Sequence, residues 1–401
     1  MKSKLIYLLM TMVIIAAMGA IFTKLVYSKS DLEAMKSSDK INIVTTIYPV
    51  YLIGLNLADQ TDNIEITSLI NRNTGCLHDY QLTAEDMKTI ATADVLVING
   101  GGMEGFLEDI TANYPDLTII DASKGITMLE DGEEGPKASE DEIEDSVGGA
   151  KVLENGAEAI SSVEYLSYNS HVWLDPSLYE KQIENIRDGI INYIKSSKVF
   201  TKKEADSVAK KISENAKKYM EGVQNINTSV EDIRKSISGN SILPNDSQQG
   251  SIDNNPNGVA ANNQQDSVIN KSQGGSSNNS NAITSSHNGV VVKSNEAVIF
   301  HEAFAYLAER VGMKIAFSVE IEPDTSLSAG NIADIVKGVK EKNIRYLFTE
   351  EQYSDSIPRQ IAEETNANVY VIDSIVTGDG SKDSYFKAMQ RNLNILKKAT
   401  N

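Results

Sequence analysis

The chain has 401 residues, enough for two domains, and carries 56 Asp and Glu against 37 Lys and Arg, a formal net charge of −19. This acidic balance disfavours a nucleic-acid-binding protein, which needs a basic surface, and suits cationic ligands. The single cysteine, Cys76, excludes an intrachain disulfide and a thiolate-rich metal cluster.

The N-terminus has the features of an export signal. Lys2 and Lys4 precede an uncharged apolar run from Leu5 to Phe22. Such a run is long for a cleaved signal peptide and about the minimum for a membrane span. It favours residues 1–30 as an uncleaved membrane anchor over a cleaved signal peptide, with the rest of the chain outside the cytoplasm. No cysteine borders the run, so a lipid anchor is not expected there.

Residues 41–200 alternate short apolar runs with helical patterns. Strands are predicted for INIVTT, NIEITSLI, DVLVING and DLTIID, and helices for Tyr48–Leu57, Thr83–Thr92 and Met103–Ala112. Repeated strand–helix units predict a parallel sheet covered by helices. Residues 130–165 interrupt this pattern with an acidic loop, which is either simply solvated or gathers cations weakly.

Two segments of contrasting character follow the first lobe. Residues 202–236 contain no proline and only one glycine, and their helical spacing predicts one long connecting helix. Residues 238–290 are rich in Asn, Ser, Gly and Gln, with few large apolar side chains. Such a composition buries too little surface to offset the entropy of ordering, so this segment is predicted to be a disordered insertion.

Residues 294–401 predict a second α/β lobe. Strands are predicted for AVIF, KIAFSV, IRYLF and VYVID, and helices for residues 302–312, 328–342, 355–365 and 382–398. The predicted fold class is therefore α/β, with two parallel-sheet lobes joined by one long rigid helix and carrying a disordered insertion.

The few histidines fall at places where ligands bind in such folds. His78 follows the strand NIEITSLI, and His301 and Asp373 stand at the ends of AVIF and VYVID. His171 precedes a helix that Asp175 caps and Pro176 opens. Ligands of open α/β sheets bind outside the carboxyl ends of the strands. Each histidine taken alone is more often structural, but three imidazoles and a carboxylate facing one cleft form a donor set that zinc accepts.

Five segments, in this order, carry a resemblance to a known family. They are IVTTIYPVYLIGLNLA, HDYQLTAEDMKTIATADVLVINGGGMEGFLEDI, SHVWLDP, FHEAFAYLAERVGMK and VIDSIVTGDGSKDSY. The sequence resembles the metal-binding solute-binding proteins of zinc and manganese ABC importers over most of residues 41–401, apart from the acidic loop and the insertion.

The resemblance implies a metal held between two lobes that a long helix connects, and a membrane permease of an ABC importer as partner. It places the metal ligands on His78, His171, His301 and Asp373. In this family a histidine at the third position implies Zn²⁺ and a glutamate implies Mn²⁺, so His301 favours zinc, with manganese as the alternative. Zinc-type members often have a histidine-rich acidic loop, whereas residues 130–165 contain no histidine.

Several residues keep two interpretations. Cys76 is either an extra soft ligand or a plain thiol, and Glu104 either orients a ligand or sits in the first turn of a helix. Glu350 and Glu351 are the alternatives to Asp373 as fourth ligand. A zinc hydrolase is disfavoured, because a carboxylate can close the metal shell and no nucleophile–base pair is evident. A second role as a surface adhesin stays open.

Overall fold

The computed structural model describes residues 40–70, 80–130, 168–239, 295–319 and 327–400. The predicted membrane anchor (1–30), nearly all of the acidic loop (130–165) and nearly all of the insertion (238–290) lie outside these ranges, as do Cys76 and His78. Within the part of the chain that is described, no helix is both long enough and apolar enough to span a membrane.

The first sheet is fully parallel and has four strands in the order β2-β1-β3-β4. These strands are β1 (Ile41–Thr45), β2 (Ile64–Ser68), β3 (Val95–Ile98) and β4 (Thr118–Asp121). The helices between them are α1 (Tyr48–Leu57), α2 (Ala84–Ala91) and α3 (Leu107–Asn113). Every residue of β3 is buried, as expected of a central strand with helices on both faces.

Local signals set the ends of these helices. Thr83 caps α2 with its side chain, and the side chain of Asp86 in turn accepts from the backbone of Thr83, which completes a capping box. The predicted helix from Met103 begins instead at Leu107. Three consecutive glycines, from Gly100 to Gly102, adopt positive φ angles, and Glu104 after them accepts from Asn99 N and Gly100 N, so residues 103–106 are not helical and α3 begins later.

Two long helices follow the first sheet. α4 (Pro176–Ser196) packs on β4, and α5 (Lys202–Gly239) is a single helix of 38 residues, about 57 Å long. The buried positions of α5 recur at alternating spacings of four and three residues: Ala205, Ala209, Ile212, Ala216, Tyr219, Val223, Ile226, Val230, Ile233 and Ile237. This apolar stripe lets one helix pack along its whole length against the rest of the molecule.

The second sheet repeats the arrangement of the first, with parallel strands in the order β6-β5-β7-β8. They are β5 (Glu296–Ile299), β6 (Lys314–Ser318), β7 (Tyr346–Glu350) and β8 (Asn368–Ile372). The helices are α6 (Ala305–Arg310), α7 (Ala329–Glu341), α8 (Ser356–Glu364) and α9 (Ser384–Thr400). The predicted fold class, two parallel-sheet lobes with helices, is thereby confirmed.

The two lobes share a hydrophobic core. One cluster of buried side chains includes residues of both sheets and of α5, and a smaller one lies within the second lobe. Tyr179 of α4 stacks on Tyr385 of α9, with ring centroids 3.9 Å apart, and its hydroxyl donates to Pro49 O at 3.0 Å. The ring stack joins the first lobe to the second, and the hydrogen bond anchors Tyr179 within the first lobe, so both lobes belong to a single compact unit.

Candidate metal centre

Three ionisable residues stand at the carboxyl edge of the second sheet. His301 lies two residues after β5, Glu350 is the last residue of β7, and Asp373 directly follows β8. All three are buried, with exposures of 6%, 2% and 6%. Parallel strands end at the same edge, so the fold itself gathers these side chains where the strand-end rule predicts a ligand.

His171 reaches this edge from the first lobe. It precedes a short 3₁₀ turn, Val172–Leu174, and its backbone N–H donates to Asn169 Oδ1 at 3.0 Å. The side chain of Asn169 also donates to Glu302 O at 2.8 Å, and Tyr306 donates to Asn169 O at 2.6 Å. The segment that carries His171 is therefore bound to the second lobe beside His301.

The two imidazoles meet edge to face. The ring centroids of His171 and His301 are 4.9 Å apart at an interplanar angle of 82°, and His171 is fully buried. Nδ1 of His171 lies 3.1 Å from Asn169 Oδ1, and Nδ1 of His301 lies 2.5 Å from Glu350 Oε1. In the tautomer that donates from Nδ1 to these oxygens, Nε2 carries the lone pair that can bind a metal. A carboxylate behind a histidine is a common support for metal ligands.

Asp373 is held by neighbours within its own lobe. Its Oδ2 forms an ion pair with Arg391, and its Oδ1 accepts from Ile375 N at 2.8 Å. Asn392 fixes its backbone in both directions, accepting from Asp373 N at 2.9 Å and donating to Asp373 O at 2.8 Å. The position of the Asp373 backbone is thus set, and its carboxylate is engaged with a cation.

The structure brings together two of the four predicted ligands, His171 and His301. Within the described ranges, no group of three or more His, Cys, Asp or Glu side chains is spaced to hold a metal ion. His78 lies outside those ranges, and Asp373 as a ligand stays a prediction. Of the two alternatives to Asp373, Glu350 contacts His301, whereas Glu351 is exposed.

Trp173 connects the segments that carry His171 and Asp373. Its indole ring centroid lies 5.1 Å from that of His171, and its Nε1–H donates to Ser374 O at 2.8 Å. Its own carbonyl accepts from Tyr385 Oη at 2.9 Å. The side chain is completely buried, so this connection between the lobes is shielded from water.

Glu104 supports the segment that carries His171 indirectly, through Asn99. Its Oε1 accepts from Thr46 Oγ1 at 2.5 Å and from Asn99 N at 2.7 Å, and its Oε2 accepts from Gly100 N at 3.0 Å. Asn99 in turn donates to Ser170 O at 2.9 Å, next to His171. Burial raises the pKa of Glu104 to about 7, against the lowering effect of these donors. Since α3 begins only at Leu107, Glu104 orients the strand-end turn and is not a first-turn acid.

Other predicted features have structural roles. Asp175 caps α4, accepting from Ser177 N at 2.8 Å, as its position before Pro176 predicts.

Three residues near the site were not predicted from the sequence: Asn169, Trp173 and Arg391. The first two stand two residues on either side of His171, a proximity that could have singled them out, whereas Arg391 lies on α9 with no local signal.

The chain was compared with known protein families and curated relatives. One family, described as zinc-uptake complex component A, periplasmic (ZnuA), matches residues 43–233 and 278–399. The zinc-binding lipoprotein AdcA of Streptococcus pneumoniae is 23% identical over 371 residues, which is 91% of this chain but 57% of the relative. The high-affinity zinc uptake system protein ZnuA of Bacillus subtilis is 22% identical over 370 residues, 91% of this chain and 89% of the relative. The chain thus spans little more than half the length of AdcA.

Solved structures show the same fold. FpvC of Pseudomonas aeruginosa, in complex with Ni²⁺, superposes with a TM-score of 0.57 at 19% identity, covering 90% of this chain and 96% of that one. Zn(II)-bound AdcA from Streptococcus pneumoniae gives a TM-score of 0.56 at 21% identity, covering 90% of this chain and 58% of that one. These similarities establish a shared architecture.

Proposed function

Because this chain belongs to the zinc-uptake complex component A family, whose match covers most of its length, we propose that it captures Zn²⁺ outside the cytoplasm and delivers it to an ABC importer. The ion is cargo, bound and released unchanged. The protein acts by affinity and by presenting the loaded form to a membrane permease.

The observation that carries this proposal is the buried pair His171 and His301. The two rings come from different lobes, their centroids are 4.9 Å apart, and each has Nδ1 beside an oxygen acceptor. Two imidazoles that meet in one buried place are a donor pair that suits a borderline cation.

We propose that His78 and Asp373 complete the donor set with these two histidines. Three imidazoles and one carboxylate suit zinc, whereas manganese prefers harder oxygen donors. Relatives named for zinc agree with this choice, and manganese is the alternative cargo of the same importer class. A closed set of four protein ligands leaves no position for an activated water, which argues for binding over hydrolysis.

The N-terminal sequence supports an extracytoplasmic, membrane-associated location. Lys2, Lys4 and the apolar run that follows direct export and can hold the chain at the membrane. A binding protein kept beside its permease transfers cargo at a high effective concentration.

The test is metal content and affinity in five forms of the full-length protein. Wild type, purified without added metal, is expected to hold one zinc per chain by elemental analysis and to prefer zinc to manganese in chelator competition. His78→Ala, His171→Ala and His301→Ala are each expected to weaken zinc binding strongly. His287→Ala is the matched control, because His287 is the one histidine without a predicted role, and it should bind as wild type does.

Two results would contradict this function. If all three variants bind zinc as tightly as wild type, the site is not where we place it. If the wild-type protein turns over a hydrolase substrate with added zinc and its metal stays labile, the enzyme interpretation replaces the transport one.

A further inference from the structure

Asp373, at the carboxyl edge of the second sheet, forms an ion pair with Arg391 of α9. The guanidinium Nη2 contacts Asp373 Oδ2, and 57% of the Arg391 side chain is exposed against 8% of the Asp373 side chain. A half-exposed arginine thus covers the carboxylate that is proposed to ligate zinc. The zinc ion and the Arg391 guanidinium are both positive, and both can bind Asp373 Oδ2.

The backbone around Asp373 is held in place. Asn392, which is fully buried, bonds both the N–H and the carbonyl of Asp373, and Trp173 donates to the carbonyl of Ser374. Ile375 is held at φ 61°, a conformation that β-branched residues rarely adopt. With the backbone so held and Oδ1 bonded to Ile375 N, Oδ2 is the oxygen through which the carboxylate can exchange its partner by a change of side-chain rotamer.

The two neighbouring residues of α9 therefore have separate tasks: Asn392 fixes the Asp373 backbone, and Arg391 contacts its carboxylate. Building on the function proposed above, we propose that Arg391 competes with bound zinc for the Asp373 carboxylate, so that it weakens zinc binding and speeds zinc release. When zinc enters, Oδ2 leaves the guanidinium for the metal. When zinc departs, Arg391 recaptures the oxygen and supplies the charge that the metal had balanced.

The size of the effect follows from the exposure of Arg391. Because the guanidinium is open to solvent, the pair is assigned the value of a solvent-screened one, on the order of 1 kcal/mol, equivalent to about a fivefold change in an equilibrium constant. Competition of this strength leaves capture possible and shortens the lifetime of the complex, because affinity differences among close variants fall mainly on the dissociation rate. Salt screens exposed charges, so the effect should shrink at high ionic strength.

The experiment is a double-mutant cycle in the full-length protein. Zinc affinity is measured by chelator competition, and zinc release by rapid mixing with excess chelator, in wild type, Arg391→Gln, Asp373→Asn and the double variant. Lys387→Gln is the matched control, since Lys387 lies on the same helix one turn earlier and pairs with Asp383 at 2.8 Å.

Arg391→Gln should bind zinc about two- to fivefold more tightly and release it correspondingly more slowly. Lys387→Gln should match wild type, and Arg391→Gln should give little gain in the Asp373→Asn background, because the contested oxygen is gone.

Three outcomes overturn the competition. Weaker or unchanged binding by Arg391→Gln shows that the arginine supports the carboxylate or does not affect it. An equal gain in both backgrounds shows that Arg391 acts only as a nearby positive charge. If Asp373→Asn binds zinc as wild type does, Asp373 is not a ligand and its assignment fails as well. A weaker Asp373→Asn together with an inert Arg391→Gln leaves the metal site standing and removes only this inference.

Discussion

Replacing Glu104 with glutamine should change how the stability of this protein depends on pH. Glu104 is 5% exposed, and its two oxygens accept three hydrogen bonds, one from Thr46 after β1 and two from Asn99 and Gly100 after β3. Two effects oppose each other there: burial favours the neutral acid, and the donors favour the carboxylate. Burial prevails, raising the pKa of Glu104 from 4.5 to about 7.

A raised pKa means that the native state binds the proton more tightly than the unfolded chain does. The stabilisation is complete below pH 4.5 and is lost as pH rises to about 7. Between about pH 5.5 and about pH 8 the wild type should lose roughly 2 kcal/mol of unfolding free energy from this group. Glutamine does not titrate, but its amide nitrogen faces a backbone donor, which costs about 1–3 kcal/mol at every pH.

Urea unfolding of the metal-free proteins measures both effects. The chain has a single tryptophan, Trp173, and it is fully buried, so its fluorescence reports unfolding without a label. Glu104→Gln should be clearly less stable than wild type near pH 5.5, and the gap should narrow by about 2 kcal/mol near pH 8. Glu108→Gln, at an exposed acid of α3, controls for the lost charge. A gap that stays constant or widens with pH refutes the reasoning, because the donors would then keep Glu104 ionised.

Three further predictions concern the metal centre. Glu350→Gln should weaken zinc binding about tenfold or more, because it removes the carboxylate beside His301 Nδ1. Glu351→Gln, at an exposed neighbour, should leave zinc binding unchanged. Equal losses in the two variants would show that Glu350 does not support His301. His301→Glu should cost zinc affinity more than manganese affinity, seen as a smaller ratio of the two in competitive titrations; an unchanged ratio would contradict the ligand assignment. Trp173→Phe removes a hydrogen-bond donor between the lobes and should lower both the thermal unfolding midpoint and the zinc affinity. Tyr179→Phe should lower the unfolding midpoint alone. Equal zinc affinities in the two variants would show that Trp173 does not position the metal ligands.

The fold could be predicted because the local sequence pattern of each strand indicates where that strand lies. The runs AVIF and VYVID are short, apolar and followed by polar side chains, and β5 and β8 end where those runs end. The start of α3 was missed for a reason that lies outside the helix. Glu104 lies inside the predicted range, but its carboxylate accepts from Asn99 N and Gly100 N at the end of β3, so residues 103–106 are held in a turn before the helix begins. A Cβ at Gly100 would collide with Asp121, so glycine is required where this turn starts.

In the candidate site, too, some residues follow from local sequence pattern and others depend on tertiary packing. The placement of His301 and Asp373 at strand ends follows from local pattern, and the fold then brings His171 beside His301. The partners of these residues do not follow from local pattern. Glu350 lies 49 positions from His301, and Arg391 lies 18 positions from Asp373. Such contacts depend on which helix packs where and on which rotamer a side chain adopts.

The two sheets share the same strand order, so each position in one sheet has an equivalent position in the other. Thr45 pairs with Val97 in the first sheet as Ile299 pairs with Phe348 in the second. Val97 pairs with Ile120 in the first sheet, and Phe348 pairs with Tyr370 in the second. Counting onward from these pairs, the first-lobe positions equivalent to His301, Glu350 and Asp373 are Ile47, Asn99 and Ser123.

The second lobe carries an imidazole and two carboxylates at these strand ends, and the first lobe carries an isoleucine, an amide and a hydroxyl at the equivalent positions. The first lobe uses those positions for its own packing and hydrogen bonds, and it contributes His171 from a separate loop. A substitution at these strand ends of the second lobe can therefore change the charge beside His301 without removing the packing and hydrogen bonds that hold the first lobe together.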